Sequence, residues 1–151
     1  MVMKIEMVPS YRIVYIRHTG PYGTGNVQTM ERMKAWAKAH HLMDDSSIIL
    51  GIAQDDPQET SPEDCRYDAC LVIFDEYRVD DGTVDQATLA GGKYAVFEID
   101  HTAQAVEIAW RDIGPKLAAH ELLMDKARPV IERYAAAMIR NHRCEICVPV
   151  C

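Results

Sequence analysis

The sequence has no long apolar run and little basic charge. Its longest apolar stretches, Ala69–Phe74 and Tyr134–Ile139, are far shorter than the roughly 20 residues that cross a bilayer. The opening residues MVMKIEMVPS lack the apolar core of a signal peptide, so we expect a cytoplasmic protein without a membrane partner. Acids outnumber lysine and arginine by 23 to 16, and no basic cluster breaks the excess, which argues against a nucleic-acid partner.

Signatures of catalysis and of metal binding are also missing. The chain contains no G-x-S-x-G, H-E-x-x-H, P-loop or G-x-G-x-x-G motif. We therefore expect no cofactor, and the motifs do not indicate any class of enzyme. Five cysteines form an odd set, which favours reduced thiols over disulfides. Cys144 and Cys147 match C-x-x-C, but residues three apart in a strand face opposite sides, so packing is favoured over a metal or redox site.

The patterns that are present predict an α+β fold. YRIVYIRHTG is typical of a strand, VQTMERMKAWAKAHHL of an amphipathic helix, and SSIILGIAQ and CRYDACLVIF of two further strands. After a predicted turn, VDDGTVDQ, the order repeats: KYAVFEIDHT is a strand, AQAVEIAWRDIGPKLAAHELL is a helix interrupted at Gly114-Pro115, and RPVIERY and RCEICVPV are strands. The predicted order is therefore β-α-β-β twice.

The duplication is also visible in the residue identities of the two halves. Tyr11 stands before His18-Thr19 at the same spacing as Tyr94 before His101-Thr102, and RYDAC matches RCEIC, so that Asp68 and Glu145 are equivalent. We expect a single domain over residues 1–151, with pseudo-repeats at about 1–76 and 77–151. Two such units can form one antiparallel sheet surface with two helices and a central cleft.

Glu132 is an acid inside the otherwise apolar run RPVIERYAAAMI. If VIERY is extended, Glu132 and Tyr134 share one face and Arg133 points to the other. A buried carboxylate without a partner is costly, and here the partner can be a ligand cation, which the negative net charge of the protein also favours. The alternative is a helix after Pro129, with Glu132 facing water.

Other candidates have two interpretations. Glu145 lies in a firmer strand, where it is either a site residue or a solvent-facing one. Asp68 is likewise either a site residue or a structural one paired with Arg66 or Arg143. Trp110 has the helical spacing of a core residue, with pocket lining as the alternative. Several tyrosines in or beside strands can stack on a flat organic cation, namely Tyr11, Tyr22, Tyr67, Tyr94 and Tyr134.

Five stretches carry a resemblance to a known family: HTGPYG, DPQETSPEDCRYDACLVI, LAGGKYAVFEI, IERY and CEICVPV, in that order over nearly the whole chain. The chain resembles the GyrI-like effector-binding domains, which also form the drug-sensing part of AraC-type and MerR-type regulators. This resemblance implies SHS2-like repeats around an aromatic pocket for bulky, often cationic compounds. It also implies that Glu132 meets the charge of the ligand, that Glu145 is the acid of the last strand, and that Trp110 borders the pocket.

The resemblance implies a stand-alone binding module for bulky lipophilic cations that acts in drug sensing or sequestration. One alternative is a hydrolase of strained electrophilic natural products, in which Glu132 or Glu145 is the base and Trp110 holds the substrate. Another is a modulator that interacts with gyrase. The sequence identifies no protein partner.

Overall fold

Eight strands form one antiparallel sheet, accompanied by three helices, in a computed structural model that describes residues 1–151. The strands are β1 (Val2–Val8), β2 (Tyr11–Thr19), β3 (Ile48–Ala53), β4 (Arg66–Ile73), β5 (Asp85–Leu89), β6 (Gly92–Asp100), β7 (Ile131–Ala135) and β8 (Arg143–Pro149). The helices are α1 (Thr24–Ala39), α2 (Ala103–Ala119) and the single turn α3 (Ala136–Ile139).

The predicted α+β class and the two β-α-β-β units are confirmed. The units are β2-α1-β3-β4 and β6-α2-β7-β8, and the strand order in the sheet is β1-β6-β8-β7-β3-β4-β2-β5. The antiparallel pair of β3 and β7 therefore joins the two units at the centre. Helix α2 continues through Gly114-Pro115, where an interruption was predicted. None of the helices has the length and apolar character needed to span a membrane.

The two edge strands are exchanged between the units. Strand β1 directly precedes β2 but pairs with β6, whereas β5 directly precedes β6 but pairs with β2. Their connections touch where Gly91 donates a backbone hydrogen bond to Ser10 Oγ at 3.2 Å. A Cβ atom at Gly91 would lie 2.6 Å from the carbonyl carbon of Pro9, so only glycine fits at this close approach. Neither edge strand was predicted, and the predicted turn VDDGTVDQ already contains the first two residues of β5.

Both faces of the sheet are apolar. On one face α1 packs over the first unit and α2 over the second, where Ala109, Ile113 and Leu117 follow one another at helical spacing towards the sheet. The opposite face carries a third buried cluster that includes Leu50, Ile52, Cys70, Tyr94, Val96, Ile131 and Cys147. Cys144 and Cys147 pack on opposite faces, as predicted, and all five cysteines are free thiols.

Two ion networks, each built around a buried acid, lie on the face away from the helices. In the second unit, Arg133 donates from Nε to Glu145 at 2.9 Å and from its two terminal nitrogens to Glu6 at 2.9 and 3.1 Å. In the first unit, Arg17 forms two hydrogen bonds to Asp68, at 2.7 and 2.9 Å. Asp68 and Glu145, equivalent in the repeat, are thus both buried acids with an arginine partner.

The partners predicted for Asp68 were wrong. Arg66 pairs with Asp55, and Arg143 pairs with Asp100 and Glu98. The register of β2 with β4 places Arg17 directly opposite Asp68, so the nearest cation comes from a strand distant in sequence.

The second network predicts a large stability effect. Arg133→Met should lower the free energy of unfolding by about 3 kcal/mol, because it leaves the buried Glu145 carboxylate with only Lys4, 3.7 Å away. The matched change Arg17→Met should cost less, about 1 to 2 kcal/mol, because Gln54 still donates a hydrogen bond to Asp68 at 3.0 Å. Water can also reach the place of the Arg17 side chain, which is 37% exposed against 9% for Arg133. Urea denaturation of both variants at neutral pH measures this, and equal losses would contradict it.

Candidate functional site

A cleft of about 670 Å³ opens between α1 and the centre of the sheet. Its floor contains Ile49, Tyr67, Glu132 and Tyr134. One wall is the side of α1 that carries Asn26, Val27, Met30, Glu31, Lys34 and Lys38. The remaining lining comes from Met43, Ser47, His101, Ala136, Ile139 and Arg140. The structure therefore brings together three of the candidate residues, Glu132, Tyr134 and Tyr67.

The central strand β7 places Glu132 in the cleft. Because side chains alternate along a strand, Glu132 and Tyr134 face the helices while Ile131 and Arg133 face the other side, as the extended interpretation predicted. The following alanines do form helix, but only in the single turn α3. Strand β7 is flanked by β3 and β8, so its backbone is held on both sides.

Tyr134 is the hydrogen-bond partner of Glu132 within the cleft. Its hydroxyl donates to Glu132 Oε2 at 2.7 Å. Burial raises the pKa of Glu132 above its ordinary value of 4.5, and the hydrogen bond from Tyr134 offsets only part of this increase. Burial and the neighbouring carboxylate both raise the pKa of Tyr134, so the phenol stays protonated as a donor.

Tyr67 pairs with Ala53 of β3, and the hydroxyl end of its side chain extends over Gly51, two residues away on the same strand. Gly51 pairs with Glu132 across β3 and β7, and the Tyr67 phenol lies over Gly51. A Cβ atom at Gly51 would lie 2.6 Å from the Tyr67 hydroxyl oxygen, closer than real side chains approach. Burial and the charge of Glu132 raise the pKa of Tyr67. Glycine at position 51 therefore allows the Tyr67 hydroxyl to lie beside Glu132.

His101 and the wall formed by α1 were not predicted as site residues. The His101 ring centroid lies 5.5 Å from that of Tyr134, and partial desolvation lowers the pKa of His101. The predicted amphipathic stripe was Val27, Met30, Met33 or Lys34, and Ala37. Of these, Met33 and Ala37 form the core of α1 together with Trp36, whereas Val27, Met30 and Lys34 line the cleft. The sequence signal that could have identified this wall is the stripe of apolar and charged residues Val27, Met30 and Lys34, which lies beside the core stripe of α1.

The mouth of the cleft is more basic than the protein as a whole. Lys34, Lys38 and Arg140 line it, in a chain of net charge −7. Arg140 pairs with Asp45 at 3.0 Å, and Lys34 lies 4.0 Å from Glu31. Lys38 has no acidic partner within 4.0 Å. The cleft thus combines a carboxyl group on its floor with positive charge at its entrance.

Three candidates lie on the opposite side of the sheet. Glu145 is bound by Arg133, and Tyr94 is fully buried in the third cluster, against which Tyr11 also packs. Glu145 follows the alternation of β8 away from the helices, because Cys144 and Ile146 take the helix-facing positions. The expectation that these residues share a pocket with Glu132 is corrected by this geometry.

Trp110 and Tyr22 also lie outside the cleft lining. Trp110 is 43% exposed on α2, and no residue of α2 lines the cleft, so the implied tryptophan border is absent here. Tyr22 packs against the core under α1, and its hydroxyl donates to the backbone carbonyl of Arg66 at 2.8 Å. Among histidine, cysteine and acidic residues, no group of three is arranged to hold a metal ion.

Comparison with known proteins agrees with this architecture. A family model described as the GyrI-like small molecule binding domain matches residues 1–150. The chain belongs to the GyrI-like family. It is 42% identical over 151 residues to YosT of Bacillus subtilis (strain 168), which is named as an SPbeta prophage-derived transcriptional regulator, and the match covers 99% of both chains.

Two solved structures share the fold of this GyrI-like chain. The EcmrR C-terminal domain superposes with a TM-score of 0.72 at 11% identity, covering 99% of this chain and 96% of that one. SAV2435 was solved bound to tetraphenylphosphonium and superposes with a TM-score of 0.63 at 18% identity, covering 100% and 94% of the two chains. At these identities the likeness concerns the fold.

The raised pKa of Glu132 predicts a pH-dependent cost in stability. Between 4.5 and the higher native pKa, the folded state holds a proton that the unfolded state has released, so wild-type stability falls as the pH rises through this window. Glu132→Gln should remove this fall and be more stable than wild type at neutral pH. Urea denaturation over a pH series measures the difference, with the exposed cleft residue Glu31→Gln as control. A difference between Glu132→Gln and wild type that does not vary with pH would contradict the assignment.

Proposed function

We propose that this chain is a stand-alone binding module for bulky lipophilic organic cations, which it captures in the cleft for sensing or sequestration. Glu132 supplies the charge that selects a cation, and Tyr134 and Tyr67 supply aromatic surface. The relative YosT is named as a transcriptional regulator, which is compatible with a sensing role.

The observation that carries the proposal is the missing counter-charge of Glu132. Asp68 and Glu145, the two acids with the most buried side chains, each have an arginine partner. Glu132 is desolvated enough to have a raised pKa, yet it forms no ion pair and accepts its one side-chain hydrogen bond from a neutral phenol. A ligand cation would offset the cost of holding this carboxylate away from water.

The walls of the cleft suit a bulky apolar ligand. Val27, Met30, Met43, Ile49 and Ile139 are among its lining residues, and its volume lies in the usual range for small-molecule sites. Methionine side chains adapt to ligands of different shape, and the tyrosine rings offer cation–π contact. The structural neighbour SAV2435 binds tetraphenylphosphonium, a lipophilic cation, on the same fold.

A pH titration tests the role of Glu132. A permanently charged dye, N-methylated acridine orange, should bind wild type more weakly as the pH falls through the raised pKa of Glu132, because protonation removes the counter-charge. Glu132→Gln should bind about tenfold more weakly at neutral pH, which corresponds to about 1.4 kcal/mol, and should show no pH dependence. Dye fluorescence measures both quantities.

Two controls make this result specific. Glu31→Gln removes an acid of the same cleft that is largely exposed, and it should change the affinity little. Mass spectrometry of a cyclopropane-bearing electrophile incubated with the protein separates binding from the hydrolytic alternative, because only hydrolysis adds the mass of water to the compound. If Glu132→Gln keeps the wild-type pH dependence, Glu132 does not recognise the charge.

The basic mouth predicts a second effect on cation binding. Lys38→Gln should strengthen binding of the same dye by about two- to threefold at low ionic strength, and the gain should disappear in high salt, because the exposed charge is then screened. Lys126→Gln makes the same change in net charge away from the cleft and should have no effect. Equal responses of the two variants would show that only net charge matters.

A further inference from the structure

The floor of the cleft holds polar atoms that the protein leaves without partners. Tyr134 occupies Oε2 of Glu132, but no protein group donates to Oε1. The hydroxyl of Tyr67 forms no hydrogen bond within the protein, although the Tyr67 side chain is buried and lines the cleft. Both atoms are open to the cleft rather than sealed inside the protein, so they are acceptors that a ligand in the cleft can engage in place of water.

The strand register brings these two groups together. Glu132 stands directly opposite Gly51, and directly opposed residues of an antiparallel pair are about 5 Å apart. The Tyr67 hydroxyl oxygen occupies the space where Gly51 has no side chain. The phenol and the carboxyl group therefore flank one position on the cleft floor.

The chemistry of the two groups distinguishes between kinds of cation. In a quaternary ammonium or phosphonium ion the charged atom is surrounded by carbon. Such an ion attracts Glu132 by Coulomb interaction alone and offers no hydrogen-bond donor to Glu132 Oε1 or to the Tyr67 hydroxyl oxygen. A protonated amine, amidine or ring nitrogen carries an N–H that Oε1 or the Tyr67 hydroxyl can accept. Such a charge-assisted hydrogen bond is stronger than a neutral one.

We infer that the cleft selects cations that carry an N–H donor over cations whose charge is capped by carbon, through Glu132 Oε1 and the Tyr67 hydroxyl held over Gly51. This inference rests on the proposed binding of cations in the cleft and specifies their class. Glu132 and Tyr67 contact the ligand, whereas Gly51 is a positioning residue that acts through Tyr67.

Two dyes of one shape provide the test. Acridine orange is charged at neutral pH by a proton on its ring nitrogen, and its N-methylated form carries the same charge without that N–H. Wild type should bind the protonated dye about tenfold more tightly than the methylated dye, the size expected for one hydrogen bond to a charged group. Tyr67→Phe should reduce this ratio to about threefold or less, because it removes the hydroxyl acceptor and keeps the aromatic ring.

Gly51→Ala separates positioning from general damage. It should displace the Tyr67 hydroxyl and lower the ratio of the two affinities as Tyr67→Phe does. In the Tyr67→Phe background it should change the ratio no further, because the hydroxyl it displaces is already gone. If Gly51→Ala does not fold, Tyr67→Phe alone still decides the inference. A loss of binding caused only by the bulk of the methyl group would leave the ratio unaffected by Tyr67→Phe.

The outcomes for this inference and for the proposed function are distinct. If wild type binds both dyes equally, or if Tyr67→Phe leaves the ratio unchanged, N–H selection is wrong, and cation binding stands provided that Glu132→Gln weakens both dyes. If wild type binds neither dye, both the inference and the proposed function fail.

Discussion

The antiparallel pairing of β3 with β7 is the contact on which the rest of the molecule depends. Ile48–Gly51 of the first unit pair with Glu132–Ala135 of the second, so two four-element units become one continuous sheet. The same pairing builds the candidate site, because it places Glu132 opposite a glycine and close to a tyrosine from the far side of β3. The site exists only where the two units meet.

Two neighbouring charged residues of β7 lie in opposite environments. Arg133 points away from the helices and is surrounded by carboxylates, while Glu132 points into the cleft and meets only a phenol. Both side chains are largely withdrawn from water, where an unpaired charge is destabilising. Arg133, on the face away from the helices, therefore has counter-charges, whereas Glu132 in the cleft has none. This is expected where binding takes precedence over stability.

The sequence predicted the repeated elements and the face of Glu132 because both follow from local periodicity. Alternation within VIERY fixes which side chains share a face, and the strand itself is confirmed. The edge strands β1 and β5 were missed because their stability comes from partners remote in sequence, and the exposed segment DQATL has no buried face to leave a pattern. The side on which Glu145 lies depends on the register between strands, which period alone does not give.

The exchange of edge strands sets the order in which the chain can complete its structure during synthesis. Strand β1 is made before its partner β6, which begins at Gly92, so β1 has no strand to pair with until synthesis has passed that residue. Pairing over such a sequence distance closes a long loop and is slow compared with local contacts. During this time other polypeptide chains can associate with the apolar residues of unpaired β1, namely Val2, Ile5 and Met7. The charged residues Lys4 and Glu6 of the same strand oppose such edge-to-edge association.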